Sequence, residues 1–220
     1  MIARMSVPAS RPMAFLSDIH GNLTALEAVL SELADRAVTD VLVAGDHLLG
    51  GREPLEVWRR LQQIGARCTR GASDAALATI DPDNLSPSTA QERIKAEHFA
   101  QARRALGDLV IERLKRMPTS LRVPLIDGSE VVMVHGCPAD PYQGIGHDVD
   151  DTELMAMLSD DPADVVVCGA THVPFRRDLE SVRVVNVGSV GDAPEGPVAH
   201  YTVLSPSPHG LEIEQHWVEY

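Results

Sequence analysis

Short runs of consecutive apolar residues, each stopped by a polar residue or a glycine, alternate with helical stripes through the first half of the chain. Met13-Ala14-Phe15-Leu16 ends at Ser17-Asp18, as a buried strand ends at a sheet edge. Leu23, Leu26, Leu30 and Leu33 follow at helical spacing on one face, and Asn22 ahead of them is a suitable N-cap. Val41-Leu42-Val43-Ala44 repeats the buried strand and stops at Gly45-Asp46, after which Pro54 opens a helix carrying Leu55, Trp58 and Leu61. Strand, helix, strand and helix in succession predict a parallel α/β arrangement. Arg67-Cys68-Thr69 is a further short strand running into Gly71. Asp81 to Thr89, rich in Pro, Asp and Ser, reads as a surface loop, and Phe99, Ala102, Leu106, Val110 and Leu114 mark a long helix after it.

Beyond that helix the rhythm changes. Leu121 to Ile126 and Val131 to His135 flank the hairpin signal Asp127-Gly128, and Val165-Val166-Val167-Cys168 is again a continuous apolar strand. Val182 to Val187, Ala199 to Leu204 and the alternating Leu211, Ile213, Gln215 supply further strands. A βα-rich half followed by a β-rich half predicts an α/β fold, a two-sheet αββα sandwich with its helices outside. The length of 220 residues suits one domain, taken here as 13–220, with residues 1–12 as a flexible N-terminal tail.

Composition removes several classes. With 44% hydrophobic and 23% charged residues, collagen-like, mostly disordered and coiled-coil chains are excluded. The balance of 19 basic against 32 acidic residues, a net charge of −13, argues against non-specific binding to nucleic acid or an anionic membrane, whose phosphates need Lys and Arg. The three cysteines, Cys68, Cys137 and Cys168, are an odd number at unrelated spacings, which implies no disulfide framework and points to a cytoplasmic location. No apolar run approaches the ~18 residues of a membrane span, and the opening residues lack a signal peptide's apolar stretch.

The polar residues that stop the apolar runs form a pattern of their own. Asp18 and His20, Gly45-Asp46, Gly71 with Asp74, His135-Gly136, and Gly169 to His172 each follow an apolar strand directly. Ligands of α/β sheets gather at strand C-termini, and Asp and His offered from several such ends suit a mixed oxygen and nitrogen metal site.

In chain order these segments are Asp18-Ile19-His20-Gly21-Asn22, Gly45-Asp46-His47, Gly71-Ala72-Ser73-Asp74, His135-Gly136 and Gly169-Ala170-Thr171-His172. The series resembles the calcineurin-like metallophosphoesterase family, and within it the small bacterial phosphodiesterase branch. Asn186-Val187-Gly188-Ser189 looks like the family's Asn-Pro-Gly-Ser turn. The resemblance implies the family's αββα sandwich and a metal-dependent phosphoric ester hydrolase. That enzyme would be a phosphodiesterase or nucleotide-directed hydrolase using metal-activated water on a small phosphorylated or nucleotide-like substrate. It also implies a first metal held by Asp18, His20 and His172, with Asp46 reaching both metals and His135 at the second. Asp46 and His135 then carry the catalytic roles, and Asn22 and Ser73 are the candidate substrate contacts.

Two positions depart from the family's ligand pattern. Ala72 stands where the family has a ligating Asn, and Ala170 where it has the first His of the last motif. Ser73 replaces a His that serves leaving groups in many members. The resemblance thus implies one tightly bound divalent transition metal, Mn, Fe, Zn or Co, and a second that is weak or absent. The alternative is a catalytically weak or inactive member that binds a metal or a phosphorylated ligand as a sensor module. Three nearby side chains have two readings each. His47 either leans into the second site or packs away from it, Cys137 offers a thiolate or fills a turn, and Ser73 binds phosphate or caps a helix. His98, His200, His209 and His216 lack a partner pattern, and His147 lies in a loop that borders the cleft. Specificity is expected from the loops Asp81 to Gln91 and Ala139 to Asp151.

Overall fold

The computed structural model describes residues 1–159 and 163–220. Its elements in chain order are β1 (Ile2–Arg4), β2 (Met13–Leu16), α1 (Leu23–Asp35), β3 (Asp40–Val43), α2 (Pro54–Gln63), β4 (Arg67–Cys68), α3 (Ala72–Thr79) and α4 (Ala90–Arg116), then β5 (Ser120–Pro124), β6 (Glu130–Val134), α5 (Asp151–Leu158), β7 (Val165–Cys168), β8 (Phe175–Asp178), β9 (Arg183–Asn186), β10 (Val198–Ser207) and β11 (Gly210–Glu219). They build one sheet in the order β11-β10-β2-β3-β4 and another in the order β1-β5-β6-β7-β9-β8.

Strand alternation explains the layering, because successive side chains point to opposite faces. Met13 and Phe15 of β2 and Leu42 of β3 meet Val131, Met133, Val165 and Val167 of the other sheet in one buried cluster. Their neighbours Ala14, Leu16, Val41 and Val43 face outward and are covered by α1 to α4. On the far side Val132, Val134, Val166 and Cys168 are covered by Leu154, Met157 and Leu158 of α5. The result is the αββα sandwich that the alternation predicts.

Four local expectations change. Residues 1–12 are not a loose tail: β1 pairs in parallel with β5, Ile2 opposite Ser120, and Ala9 bridges Leu125. Ala3, Met5 and Ala9 add to the inter-sheet core there, a pairing that no local pattern announces because its partner lies far along the chain. The stretch read as a loop contains a 3-10 turn, Pro82–Asn84, and α4 begins at Ala90 through a Thr89 and Glu92 capping box. The helix breaks direction at Gly107, whose φ of 71° only glycine adopts freely. The edge strand β8 carries one apolar residue among four, and the helix α5, capped by the Asp150 side chain, sets Leu154, Met157 and Leu158 on one face over only about two turns, too short a stretch to announce a period.

Candidate metal centre

All five ligand candidates come together where the two sheets' strands end. Asp18 and His20 follow β2, Asp46 follows β3, His135 follows β6, and His172 lies in the loop after β7. Backbone bonds stitch these ends to one another: the Asp18 N–H donates to Gly45 O (3.0 Å), His20 N–H to Asp46 O (3.0 Å) and Gly169 N–H to His135 O (2.9 Å). Asp18, His20, Asp46, Ala170 and His172 account for five of the seven non-glycine residues with left-handed φ among the described residues, at 51° to 65°. Such strain persists only where surrounding contacts impose it, and its concentration here marks the loops as functional.

The first group is a triangle of donor atoms. His20 Nε2 and His172 Nε2 lie 3.2 Å apart, with Asp18 Oδ1 at 3.5 Å from the former and 3.2 Å from the latter. Each imidazole gives its Nδ1–H to a backbone carbonyl, Leu49 O at 2.7 Å for His20 and Asp192 O at 2.8 Å for His172. That tautomer turns both Nε2 lone pairs toward each other, an arrangement that repels unless a cation or a proton lies between them. Asp18 Oδ1 is buried with no hydrogen-bond partner among the described residues, while Oδ2 accepts the Ala170 N–H at 3.0 Å. Two imidazole nitrogens and an orphaned carboxylate oxygen fit a divalent transition metal, whose tetrahedral Zn–N ligands would stand ~3.3 Å apart. Burial opposes the charge on Asp18, yet its contacts with His172 and His20 hold the carboxyl well below the usual range. Burial also opposes the charge on His20, but the Asp18 carboxylate prevails and raises its pKa to about 9. The Asp18 contact raises His172 in the same direction.

Asp18 also lies within reach of Asp46 and His135, which form a second group of donor atoms with it. His135 Nε2 lies 3.5 Å from Asp46 Oδ1, which accepts the Ser73 N–H at 2.8 Å from the first turn of α3. Gly71 lets that carboxylate approach the chain, since a Cβ there would meet Asp46 Oδ1 at 2.2 Å and Asp46 N at 2.4 Å. Burial pushes the Asp46 carboxyl up, with His135 pulling the other way. Ala72 is exposed and Ala170 half-buried at the rim, and neither methyl supplies a donor.

Asp74 organises this half. Fully buried, it accepts the N–H groups of Asp46 (2.9 Å), His47 (3.2 Å) and Gly71 (3.0 Å) as well as His47 Nδ1 at 2.7 Å. His47 is therefore turned away from the metal centre, which decides between its two readings in favour of packing. Burial works against both charges, but each partner's charge prevails, raising His47 well above its ordinary value and lowering Asp74. Asp74→Ala should cost about 3–5 kcal/mol in urea unfolding, because it strands a buried imidazolium and frees several amides. A loss below about 1 kcal/mol would overturn this bracing role, because even one buried donor left unpaired costs that much. Sequence reasoning singled out Asp74 as a strand-end polar residue but carried no sign of this bracing role.

The other expectations resolve residue by residue. Asn22, the expected substrate contact, caps α1 by accepting the Ala25 N–H at 3.1 Å, and its amide donates to Gly191 O (3.1 Å) and Tyr220 Oη (3.0 Å). Ser73 does not cap α3, whose N-cap is Gly71; its hydroxyl is buried without a partner among the described residues. Cys137 fills a turn, its sulfur bonded to Asp140 N and O, and burial pushes its thiol pKa up, which disfavours a thiolate ligand. Asn186 ties Gly169 O and the Thr171 hydroxyl, both at 2.8 Å, while the Ser189 hydroxyl donates to Asp18 O at 2.8 Å. That turn thus braces the loops on which Asp18 and His172 stand. No helix among the described residues is long and apolar enough to cross a membrane.

Fold and site together define a phosphoesterase scaffold of the two-sheet type, and the calcineurin-like phosphoesterase superfamily domain matches residues 12–207. The chain belongs to that family. It is 23% identical over 227 residues to the uncharacterized protein MJ0912 of Methanocaldococcus jannaschii, covering 94% of this chain and 87% of that one. Among solved structures it resembles the hypothetical protein PH1004 of Pyrococcus horikoshii OT3, with a TM-score of 0.79 and 23% identity over 95% of this chain and 88% of that chain. It also resembles a metallophosphoesterase of Sphaerobacter thermophilus, with a TM-score of 0.73 and 25% identity over 96% and 89% of the two chains.

Proposed function

We propose that the protein is a metal-dependent hydrolase of small phosphodiesters or nucleotide-like phosphate esters, with its principal ion at Asp18, His20 and His172. The observation that carries this reading is the triangle of two converging Nε2 atoms and Asp18 Oδ1, which has no hydrogen-bond partner among the described residues. A divalent cation held there acidifies water and draws charge from a phosphoryl oxygen. Asp46 and His135 form the adjoining half, where Ala72 and Ala170 leave any second ion weakly held. His135 faces the same space and is suited to donate to phosphoryl oxygens, and the unpartnered Ser73 hydroxyl is a further donor.

The test combines metal analysis of the purified protein with hydrolysis of aryl phosphomonoesters and phosphodiesters in Mn, Zn, Ni and Mg. Stoichiometric metal without turnover of any ester would favour the sensor-module alternative. A graded series sharpens the outcome, because a serine hydroxyl is a poor proton donor to a leaving group at neutral pH. Esters of 4-nitrophenol should be cleaved at least ~10²-fold faster than alkyl esters, the smaller end of what a general acid contributes. A rate independent of leaving-group pKa would identify another acid at the site.

A further inference from the structure

A groove of about 520 Å³ opens between α3, the 3-10 turn and the start of α4. Its wall includes Leu49, Ala76, Ile80, Leu85, Ala96 and Phe99. Two hydrogen bonds tie its walls to the metal centre. The Leu49 carbonyl is the acceptor that orients His20, and the Ser73 N–H in the first turn of α3 holds Asp46. Ala72 at the rim and Ala76 in the groove are four residues apart on α3, hence on one face and ~6 Å apart along the axis. Ile80, just beyond the helix, extends the same line. Ala72, Ala76 and Ile80 thus form an apolar line along α3, from the end whose Ser73 N–H holds Asp46 toward the groove.

The lining also selects the occupant. Glu92 is the one acidic group on the wall, and its carboxylate is engaged by the Ser88 N–H and hydroxyl (2.7 Å each) and the Thr89 N–H (3.1 Å). Lys95 and His98 are exposed on the rim. A nucleobase would bring several polar edges into a wall with little to pair them, whereas a hydrocarbon loses nothing there. We propose that this groove binds an aliphatic chain esterified to the substrate's phosphate, so that the preferred phosphate esters carry an alkyl group beside the scissile bond. The inference rests on the phosphoesterase reading for the identity of the headgroup at the metal.

The test is calorimetric binding of n-alkylphosphonates, methyl to octyl, to the Mn-loaded protein. Affinity should rise about two- to fourfold per methylene until the groove is filled, as apolar surface leaves water. In Ala76→Trp and Ala96→Trp, which fill the groove from different helices, the octyl to methyl affinity ratio should fall toward one. A flat series in the wild-type protein, or a ratio kept in both variants, overturns the proposal and leaves the groove to some other occupant such as a protein segment. Hydrolysis of bis(4-nitrophenyl) phosphate by the same preparation tests the underlying reading separately. There water bonds to phosphorus, the bond to 4-nitrophenolate breaks, and the released proton goes to solvent. Turnover with a flat phosphonate series defeats the groove alone, and a chain-length dependence without turnover defeats the phosphoesterase reading alone. Failure of both measurements defeats both.

Discussion

Replacing Asp18 by Asn should abolish stoichiometric metal binding and lower phosphodiester hydrolysis on the order of 10³-fold, the scale of the charge stabilisation a catalytic cation supplies. Asp18 is the carboxylate common to both donor groups, and its Oδ1 has no other partner among the described residues. An amide there keeps the size and the Ala170 contact but removes the negative charge on which both histidines close. The pH dependence follows from the same contacts. Although burial opposes it, the Asp18 contact raises His20 from 6.5 to about 9, so the metal-free protein holds a proton that a cation must displace. Metal affinity should therefore climb between pH 6.5 and about 9 and level off above. Stability of the metal-free fold runs the other way. The pair's contribution is complete below pH 6.5, the ordinary value, and is lost as the pH rises through about 9. In Asp18→Asn both slopes should flatten. Chelator competition and urea unfolding across this range measure them, and full metal occupancy in the variant would remove Asp18 from the site.

The double change Ala72→Asn with Ala170→His should raise metal content toward two per chain and phosphodiester hydrolysis on the order of 10²-fold, since a second cation adds stabilisation at the attacking and leaving oxygens. The geometry favours it. Asp46 Oδ1 and His135 Nε2 already stand 3.5 Å apart, and Ala72 is exposed in the first turn of α3, where an Asn fits without displacing core atoms. Position 170 has a φ of 65°, the left-handed backbone that His20 and His172 already adopt at 51° and 62°. Each single change should do less than the pair, because a lone added donor completes neither ligand set. A wild-type protein that already holds two metals at full occupancy would show that other groups fill the second half, and the double variant would then gain nothing.

Much of this centre was legible in the sequence because its signals are local. An apolar run of four residues followed by Asp, or by Gly and Asp, announces a strand end and its polar tip together. Asp18, His20, Asp46, His135 and His172 could thus be nominated from such ends, and the cap at Asn22 from the stripe after it. What remained hidden depends on partners distant along the chain. β1 looks like a tail until Ile2 meets Ser120, and the tautomers of His20 and His172 are set by carbonyls of Leu49 and Asp192 that no residue type reveals. His47 was poised between ligand and packing until Asp74, 27 residues on, took its Nδ1. The groove exists only because α3 and the start of α4 come together. Sequence alone determined which side chains end the strands, since burial and periodicity are properties of neighbouring residues. The tertiary structure alone decided which atoms of those side chains face a common space, because that direction is set by hydrogen bonds closed across the whole fold.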